Sequence, residues 1–459
     1  MLKKRIIIVA DNSRRDFFAT RLLQRGFQKK GVDVQLSTLL NMVPTLRWFK
    51  PHAVMSNRAN MDFAKPASKC CRIYIFPAEG GHLTKETMLS VFMGRSYWKL
   101  DSVDWVRRCY VWSEYVRNSL METGMFRGDQ LVVAGSPRLD VYRHYRNSRS
   151  SPQRPEDFVL GIAFSAKSTS AYYGAPHYAQ SYMNLHPDET FPVTPRGRYF
   201  EDICWRDQAI LRLSMRYLKR FLAEFRGRVL LRPSPFEDEG EYRFLEKRYP
   251  GRVKVVVNVP MRDYLENIDA LMTCWSTTGL EALIMGVPVI SIAGTIDQEH
   301  LFQHIDKRAS GFDSFVPLFH LPETENDLFS LIQLAQSHKL PVSSKSREEL
   351  LTLLNSIYNW SNMQPAHKVI IDDVLNDLND VKETTHQVWR AALPIPHGVP
   401  LLFAPVAYWA RNQYNFYKKG NFRTLRQFYR LKDRKVDALI KKMEQETIKT
   451  QEPRSLCWD

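Results

Sequence analysis

Short runs of Val, Ile, Leu and Ala alternate along the chain with longer segments whose apolar residues recur every three or four positions. The first run, Arg5-Ile-Ile-Ile-Val-Ala10, is apolar at consecutive positions and so reads as a strand buried on both faces. Residues 17–30 follow with helical spacing and stop at Gly31, and 32–36 form the next strand. Further strands are predicted at 69–77, 106–112 and 130–135, with a helix over 114–123. A second series has strands at 158–165, 228–233, 253–258, 270–275 and 288–292, with a helix over 210–225. Strand followed by helix, repeated, predicts parallel sheets covered by helices. Past Gly311 the pattern turns helical, at 325–337, 346–360 and 369–378.

Between the two series lies Arg146-Asn-Ser-Arg-Ser-Ser-Pro-Gln-Arg-Pro155, polar and Pro-broken, which reads as a domain boundary. The expected division is an N-terminal lobe over 1–150, a second lobe over 151–390 that includes the helical end, and a tail over 391–459. At 459 residues the chain is long enough for two domains of about 150–200 residues and an appendage. Residues 168–202, rich in Tyr, His, Pro and Gly, read as one long loop, functional or mobile.

The stretch 270–294 carries the most chemistry. It reads as a buried strand, a turn Ser276-Thr-Thr-Gly279, a short helix and a second buried strand. Free backbone N–H groups at a helix start, flanked by the hydroxyls of Ser276, Thr277 and Thr278, can hold a phosphate. Glu281 can accept two ribose hydroxyls, and Gly279 lets a ligand approach the backbone. A plain alternative is a capping turn, with Ser276 or Thr277 as cap and Glu281 completing a capping box. Arg232, at the end of the strand over 228–233, can contact a phosphate through two N–H groups. Ser165 and Lys167, also at a strand end, add hydroxyl and cation. The predicted strand ends of the first series lead into Asp11-Asn-Ser-Arg-Arg-Asp16, Ala78-Glu-Gly-Gly-His82 and Gly135-Ser-Pro-Arg-Leu-Asp140. In parallel sheets such ends bind ligands. Asn12, Ser13, Arg14 and Arg138 are therefore candidates for holding an acceptor.

Composition narrows the partners. A hydrophobic share of 44% with 25% charged residues suits a soluble globular protein, and no run approaches the ~18 apolar residues of a membrane span. The six cysteines show no metal-type spacing, so free thiols and a cytoplasmic setting are expected. A net charge of +16 asks for an anionic partner. From Lys418 to Lys442 there are ten Lys/Arg against two Asp, interleaved with aromatics. Such a tail suits the inner face of an anionic membrane, or else packs as a terminal helix on the body. No nucleic-acid-binding motif accompanies it, and nucleic acid is not expected.

Ser276-Thr-Thr-Gly-Leu-Glu-Ala followed by Val287-Pro-Val-Ile-Ser291, in the second of two Rossmann-like lobes, resembles the two-lobed (GT-B) nucleotide-sugar glycosyltransferases. Trp112-Ser-Glu-Tyr, Ala134-Gly-Ser-Pro-Arg-Leu-Asp140 and Leu231-Arg-Pro-Ser-Pro-Phe-Glu237 resemble motifs of bacterial surface-carbohydrate biosynthesis proteins, with Ser136 and Ser234 in place of the usual Asn and His. The resemblance spans about residues 1–300. It implies an α/β protein with two Rossmann-like lobes, a cleft between them and a basic helical C-terminal extension. It also implies a nucleotide-sugar donor and a glycan or glycolipid acceptor, such as a surface polysaccharide, capsule or lipopolysaccharide.

For catalysis, Glu237, Asp238 and Glu239 form an acidic cluster past Arg232, similar in position to the carboxylate of retaining Kdo transferases. Asp238 and then Glu237 are the candidate nucleophiles. Acids also favour the start of a helix, which is the plain reading. Glu79 and His82, with Asp11 and Asp16 in competition, are candidate bases toward the acceptor. Donor charge can be met by Arg232, Lys167 and a helix N-terminus, so no cofactor or essential metal is expected. The reading is a glycosyltransferase, peripheral on the cytoplasmic membrane face, with a CMP-Kdo-like donor among the candidates. A nucleotide-sugar 2-epimerase and a non-catalytic scaffold of the same fold are the alternatives.

Overall fold

The computed structural model describes residues 3–10, 17–38, 42–57, 63–77, 92, 103–143, 155–163, 195–234, 237, 239–257, 259–296, 315–362, 364–380 and 434–449. They fall into two units: one takes the described residues up to Arg143 and those from Leu351 onward, the other the residues between.

In the first unit, β1 (Arg5–Ala10), β2 (Asp33–Thr38), β3 (Ala53–Ser56), β4 (Arg72–Ile75), β5 (Val106–Val111) and β6 (Leu131–Val133) form one sheet in the order β2-β1-β3-β4-β5-β6. Every pair is parallel. Helices α1 (Phe17–Lys29), α2 (Met42–Phe49), α3 (Ala64–Ala67) and α4 (Glu114–Met121) belong to this unit. Ile6, Ile7 and Ile8 are all fully buried, which is why the strand sequence shows no alternation. Strand β3, central in the sheet, was not anticipated: four residues after Pro51 are too short an apolar run to stand out.

The second unit holds β7 (Val159–Ala163), α5 (Pro195–Glu224), β8 (Arg228–Arg232), α6 (Arg243–Arg248), β9 (Val253–Val255), α7 (Met261–Leu265), β10 (Ala270–Thr273), α8 (Thr277–Ile284), β11 (Val289–Ser291) and α9 (Glu325–Gln336). Its sheet is also parallel, ordered β11-β10-β7-β8-β9. The α/β class and the parallel sheets are as expected. Helix α5 is longer than its pattern suggested, starting at Pro195 inside the stretch read as loop. Proline suits a first helical turn, where its missing N–H costs nothing.

Three more helices follow: α10 (Arg347–Tyr358), across which the two units divide, α11 (Ala366–Asp377) and α12 (Arg434–Lys449). The helical end was expected with the second lobe; from Leu351 it instead belongs to the first unit. The reason is apolar demand, since Ile370, Ile371, Val374 and Leu378 complete one core with Ile6, Ile8, Phe27, Val34 and Met55. Gly26 makes room for this packing, because a Cβ there would lie 2.1 Å from Ile371 Cδ1. Nor is the expected tail wholly separate. In α12, Leu439, Ile440 and Met443 are buried, Asp437 pairs with Arg21 at 2.8 Å and Arg25 at 3.4 Å, and Glu444 pairs with Lys29 at 2.7 Å. The rest of the basic run, 418–433, lies outside the described residues. Among the described residues no helix is long and apolar enough to cross a membrane.

Helix α11 is held at both ends. At its start the buried Asp140 carboxylate accepts the Ala366 N–H at 3.0 Å and the His367 N–H at 2.9 Å, and meets His367 Nδ1 at 2.8 Å and Arg143 Nε at 3.2 Å. Burial pushes the Asp140 carboxyl up, but the bonds and charge of His367 and the charge of Arg143 outweigh it and hold it below the usual carboxylate range. At the other end Asp377 accepts from Tyr74 at 2.7 Å and pairs with Arg107 at 2.6 Å and Arg72 at 3.0 Å, while Tyr110 donates to Asp373 at 2.8 Å. Carboxylates at a helix C-terminus are disfavoured by the dipole, and the arginines offset that. A register shift helps: Ile73 pairs with Val106 but Tyr74 with Arg108, so Arg107 is the extra residue of a bulge.

Replacing Asp140 by Ala leaves Arg143 buried without its carboxylate and should cost about 3–5 kcal/mol in urea unfolding. Because the folded carboxyl titrates below its unfolded value near 4, its contribution is full above that pH and fades as pH falls through the folded value. The gap between wild type and Asp140→Ala should therefore narrow in acid.

Candidate functional site

The strand order of the second sheet locates its ligand edge. From β7 the chain moves through β8 and β9 to one side, then returns to place β10 and β11 on the other. The order reverses between β7 and β10, and in open parallel sheets ligands bind outside the carboxyl ends at that reversal. Thr273, the last residue of β10, donates through Oγ1 to the Ala163 carbonyl at 3.0 Å and fixes the two strand ends together. Ser291 Oγ donates to the Cys274 carbonyl just beyond.

From this edge α8 starts. Ser276 is its cap: its Oγ accepts the Thr278 N–H at 3.2 Å and donates to Thr278 Oγ1 at 3.1 Å. Ser276 and Thr277 are half-buried, whereas Thr278 is buried. Glu281 is the fifth residue of α8, beyond the first turn, and is 3% exposed, so no capping box involves it. Gly279 has a packing role instead of giving a ligand access: a Cβ there would stand 2.3 Å from Phe319 Cζ.

Arg232 ends β8, paired in register with Ala163, which itself pairs with Thr273. Two strand spacings, about 10 Å, separate it from β10 along this edge. Its Nη1 donates to the Val259 carbonyl at 2.8 Å, and its guanidinium lies 5.4 Å from the centre of the Tyr264 ring. Burial raises the Tyr264 phenol while the Arg232 charge lowers it, burial prevailing. Glu237 is fully buried, accepts the Ser234 N–H, and sits 3.4 Å from Tyr242 Oη. Its own N–H returns to the Ser234 carbonyl at 2.9 Å, so its carboxylate closes a turn. Glu239 starts a short 3-10 turn ahead of α6.

Asp238, Glu79, His82, Ser165, Lys167, Asn12, Ser13 and Arg14 lie outside the described residues, as do Asp11 and Asp16. Their flanking strands are informative all the same. In the chain 11–16 come after β1, which borders the reversal between β1 and β3 in the first sheet, and 165–167 come after β7, which borders the reversal in the second. Arg138, half-buried, precedes the 3-10 turn Leu139–Tyr142 that carries Asp140. The Asp140–His367 pair was not foreseen, because the two residues stand 227 positions apart. Trp112 likewise is buried, donating to the Pro77 carbonyl at 3.3 Å and packing on Tyr358 at 5.7 Å. Among the described residues no group of three or more His, Cys, Asp or Glu is placed to hold a metal ion.

No protein-family model and no curated protein matches the chain. Among solved structures it is similar to a UDP-N-acetylglucosamine 2-epimerase, at 12% identity and a TM-score of 0.46 over 84% of this chain and 99% of the other. It is similar to the UDP-GlcNAc 2-epimerase of Methanocaldococcus jannaschii, at 12% identity and a TM-score of 0.45 over 82% and 100%. A third is the wall teichoic acid polymerase TagF, at 11% identity and a TM-score of 0.48 over 82% and 89%. Likenesses at this level leave activity to be argued from the residues of this chain.

Gly279→Ala should destabilise the protein by about 1–3 kcal/mol through overpacking against Phe319. In a thermal melt, adding Phe319→Leu should recover part of the loss. An unchanged melting temperature for Gly279→Ala returns this position to ligand access.

Proposed function

We propose that this protein is a nucleotide-sugar-dependent glycosyltransferase acting in surface-polysaccharide or glycolipid assembly, with the nucleotide held by the second unit. The observation that carries the reading is the start of α8 at the strand-order reversal, with Ser276 and Thr277 half-buried there and Arg232 on the same edge. A helix start carries partial positive charge and arginine adds a fixed charge, which together suit a diphosphate. The motifs at Trp112, Ala134–Asp140 and Leu231–Glu237 support a sugar as the transferred group. An acceptor hydroxyl bonds to the anomeric carbon and gives its proton to a base, Glu79 or His82 being the candidates, while the carbon–oxygen bond to the nucleotide breaks and the nucleotide leaves with the electron pair. The acid-sugar donor and the acceptor belong to this reading as its finer parts, and the catalytic carboxylate is sought first at Asp238.

A thermal-shift screen against CMP, CDP, UDP, GDP and ADP identifies the base, since a ligand that binds the folded state must raise its melting temperature. Arg232→Gln should weaken the preferred nucleotide by about 1.5–3 kcal/mol, measured by calorimetry. With the matching sugar nucleotide, transfer to a lipid-extract acceptor is expected. No shift with any nucleotide sinks the reading. Binding without turnover points to a scaffold, and turnover to an epimerised sugar without transfer points to an epimerase.

A further inference from the structure

In a parallel sheet every turn that enters a strand gathers on one edge, and every turn that leaves one gathers on the other. In the first unit the leaving edge is the ligand edge, and the entering edge has a composition of its own. Lys3 and Lys4 lead into β1, Lys29 and Lys30 stand before β2, Lys50 before β3 and Lys69 before β4. Hydrogen bonds set these approaches side by side. Asp33 donates to the Lys4 carbonyl at 2.9 Å, His52 to Arg5 at 2.8 Å and Arg72 to His52 at 3.0 Å, while Arg5 Nε reaches the Lys50 carbonyl at 3.1 Å.

Lys3, Lys30 and Lys69 are exposed, and Lys4 and Lys50 half-buried. Lys29 is exposed and paired with Glu444. Helix α12 runs alongside α1 in the same direction, Asp437 beside Arg21 and Glu444 beside Lys29, and adds the exposed Lys441 and Lys442. At the entries to β1–β4 Asp33 is the exposed acid, and Arg72 and Arg107 are engaged by Asp377; the entries to β5 and β6 carry the exposed Asp104 and Asp129, both paired with Arg127, so the basic part of the edge is the β1–β4 part. Lysines after a helix complement its dipole, which accounts for Lys29 and Lys30. That does not account for Trp48. It stands next to last in α2, two residues before Lys50, and is 73% exposed, its ring 6.3 Å from that of Phe49.

We propose that the strand-entry edge of the first unit docks on an anionic bilayer, Lys3, Lys4, Lys30, Lys50 and Lys69 meeting lipid phosphates and Trp48 seated at headgroup level. Lysine stems lie along an apolar boundary with their charges in water, and indole rings favour that same boundary. Each lysine near an anionic surface adds attraction that salt weakens. Nucleic acid suits the β1–β4 part of the edge less: its exposed cations are lysine point charges rather than arginine forks, and among the described residues one exposed Trp is not a series of stacking platforms. The proposal goes beyond the transferase reading and does not depend on it, since its readout is binding alone.

The test sediments the full chain with phosphatidylcholine vesicles, with and without phosphatidylglycerol. Binding should require phosphatidylglycerol and weaken as salt rises. Trp48→Ala, and separately the pair Lys30→Glu and Lys69→Glu, should each lower vesicle partition about tenfold or more. The pair Lys247→Glu and Lys339→Glu makes the same charge change at exposed sites of the second unit and should leave partition nearly unchanged. All these side chains are exposed, and a circular-dichroism melt checks each fold. Absence of phosphatidylglycerol-dependent binding overturns the proposal, as does an equal loss from both lysine pairs. Displacement of the vesicles by single-stranded RNA bound more tightly overturns it in favour of a nucleic-acid surface.

Discussion

The Asp140 carboxylate, buried in the turn after β6, accepts the N–H groups of a helix that begins 226 residues later, and the first unit depends on that contact. The first turn of any helix leaves N–H groups unpaired, at a large cost where water is excluded. Asp140 supplies the acceptor, His367 and Arg143 keep it ionised, and Arg143 reaches on to the carbonyls of Trp360 at 3.0 Å and Asn362 at 2.6 Å. With α11 seated, Ile370, Ile371 and Val374 cover the apolar face that β1 and α1 present. Residues 1–143 alone leave that face open to water. The unit therefore closes only after the segment past Leu351 has been made, and contacts of such sequence separation slow folding.

Parallel pairing imposes the second constraint. It puts all strand exits of each sheet on one edge and all strand entries on the other, so that ligand chemistry and surface chemistry are sorted by topology before any side chain is chosen. The second unit uses its exit edge for Ser276 and Arg232. In the first unit the entry edge receives lysines and Trp48.

Legibility in the sequence followed how local each cause is. Strands such as Arg5–Ala10 were plain because burial on both faces writes itself into consecutive positions. A cap at Ser276 or Thr277 was legible because capping acts over two residues, and the structure places it at Ser276. Gly279 was misread: a glycine after a Ser-Thr-Thr turn suggests ligand access, and Phe319, 40 residues on in the sequence, is invisible from there. The motif residues Trp112, Gly135 and Asp140 were recognisable as a pattern, but their work was not. Gly135 has φ +86° and would, with a Cβ, crowd the Tyr358 carbonyl at 3.2 Å, so it and Asp140 receive the returning chain. The basic tail was ambiguous because α12 carries both its own charges and an apolar stripe, and only the partner α1 decides which face is hidden.

The turn after β8 shows how an acidic cluster beside an arginine can divide its duties. Ser234 stands where the resemblance has a histidine, and it is 7% exposed. Its N–H is taken by Glu237, whose own N–H returns to the Ser234 carbonyl, so carboxylate and backbone lock each other within four residues. A buried carboxylate with that duty is poorly placed to leave its turn for a substrate, because the Ser234 N–H would lose its acceptor. The lock fixes the chain where it leaves Arg232, and the guanidinium is steadied by the Val259 carbonyl and the face of Tyr264. A cation held this way loses little side-chain freedom on meeting a phosphate. On this edge the buried acid shapes the backbone that carries Arg232, and the arginine's own contacts hold its guanidinium in place.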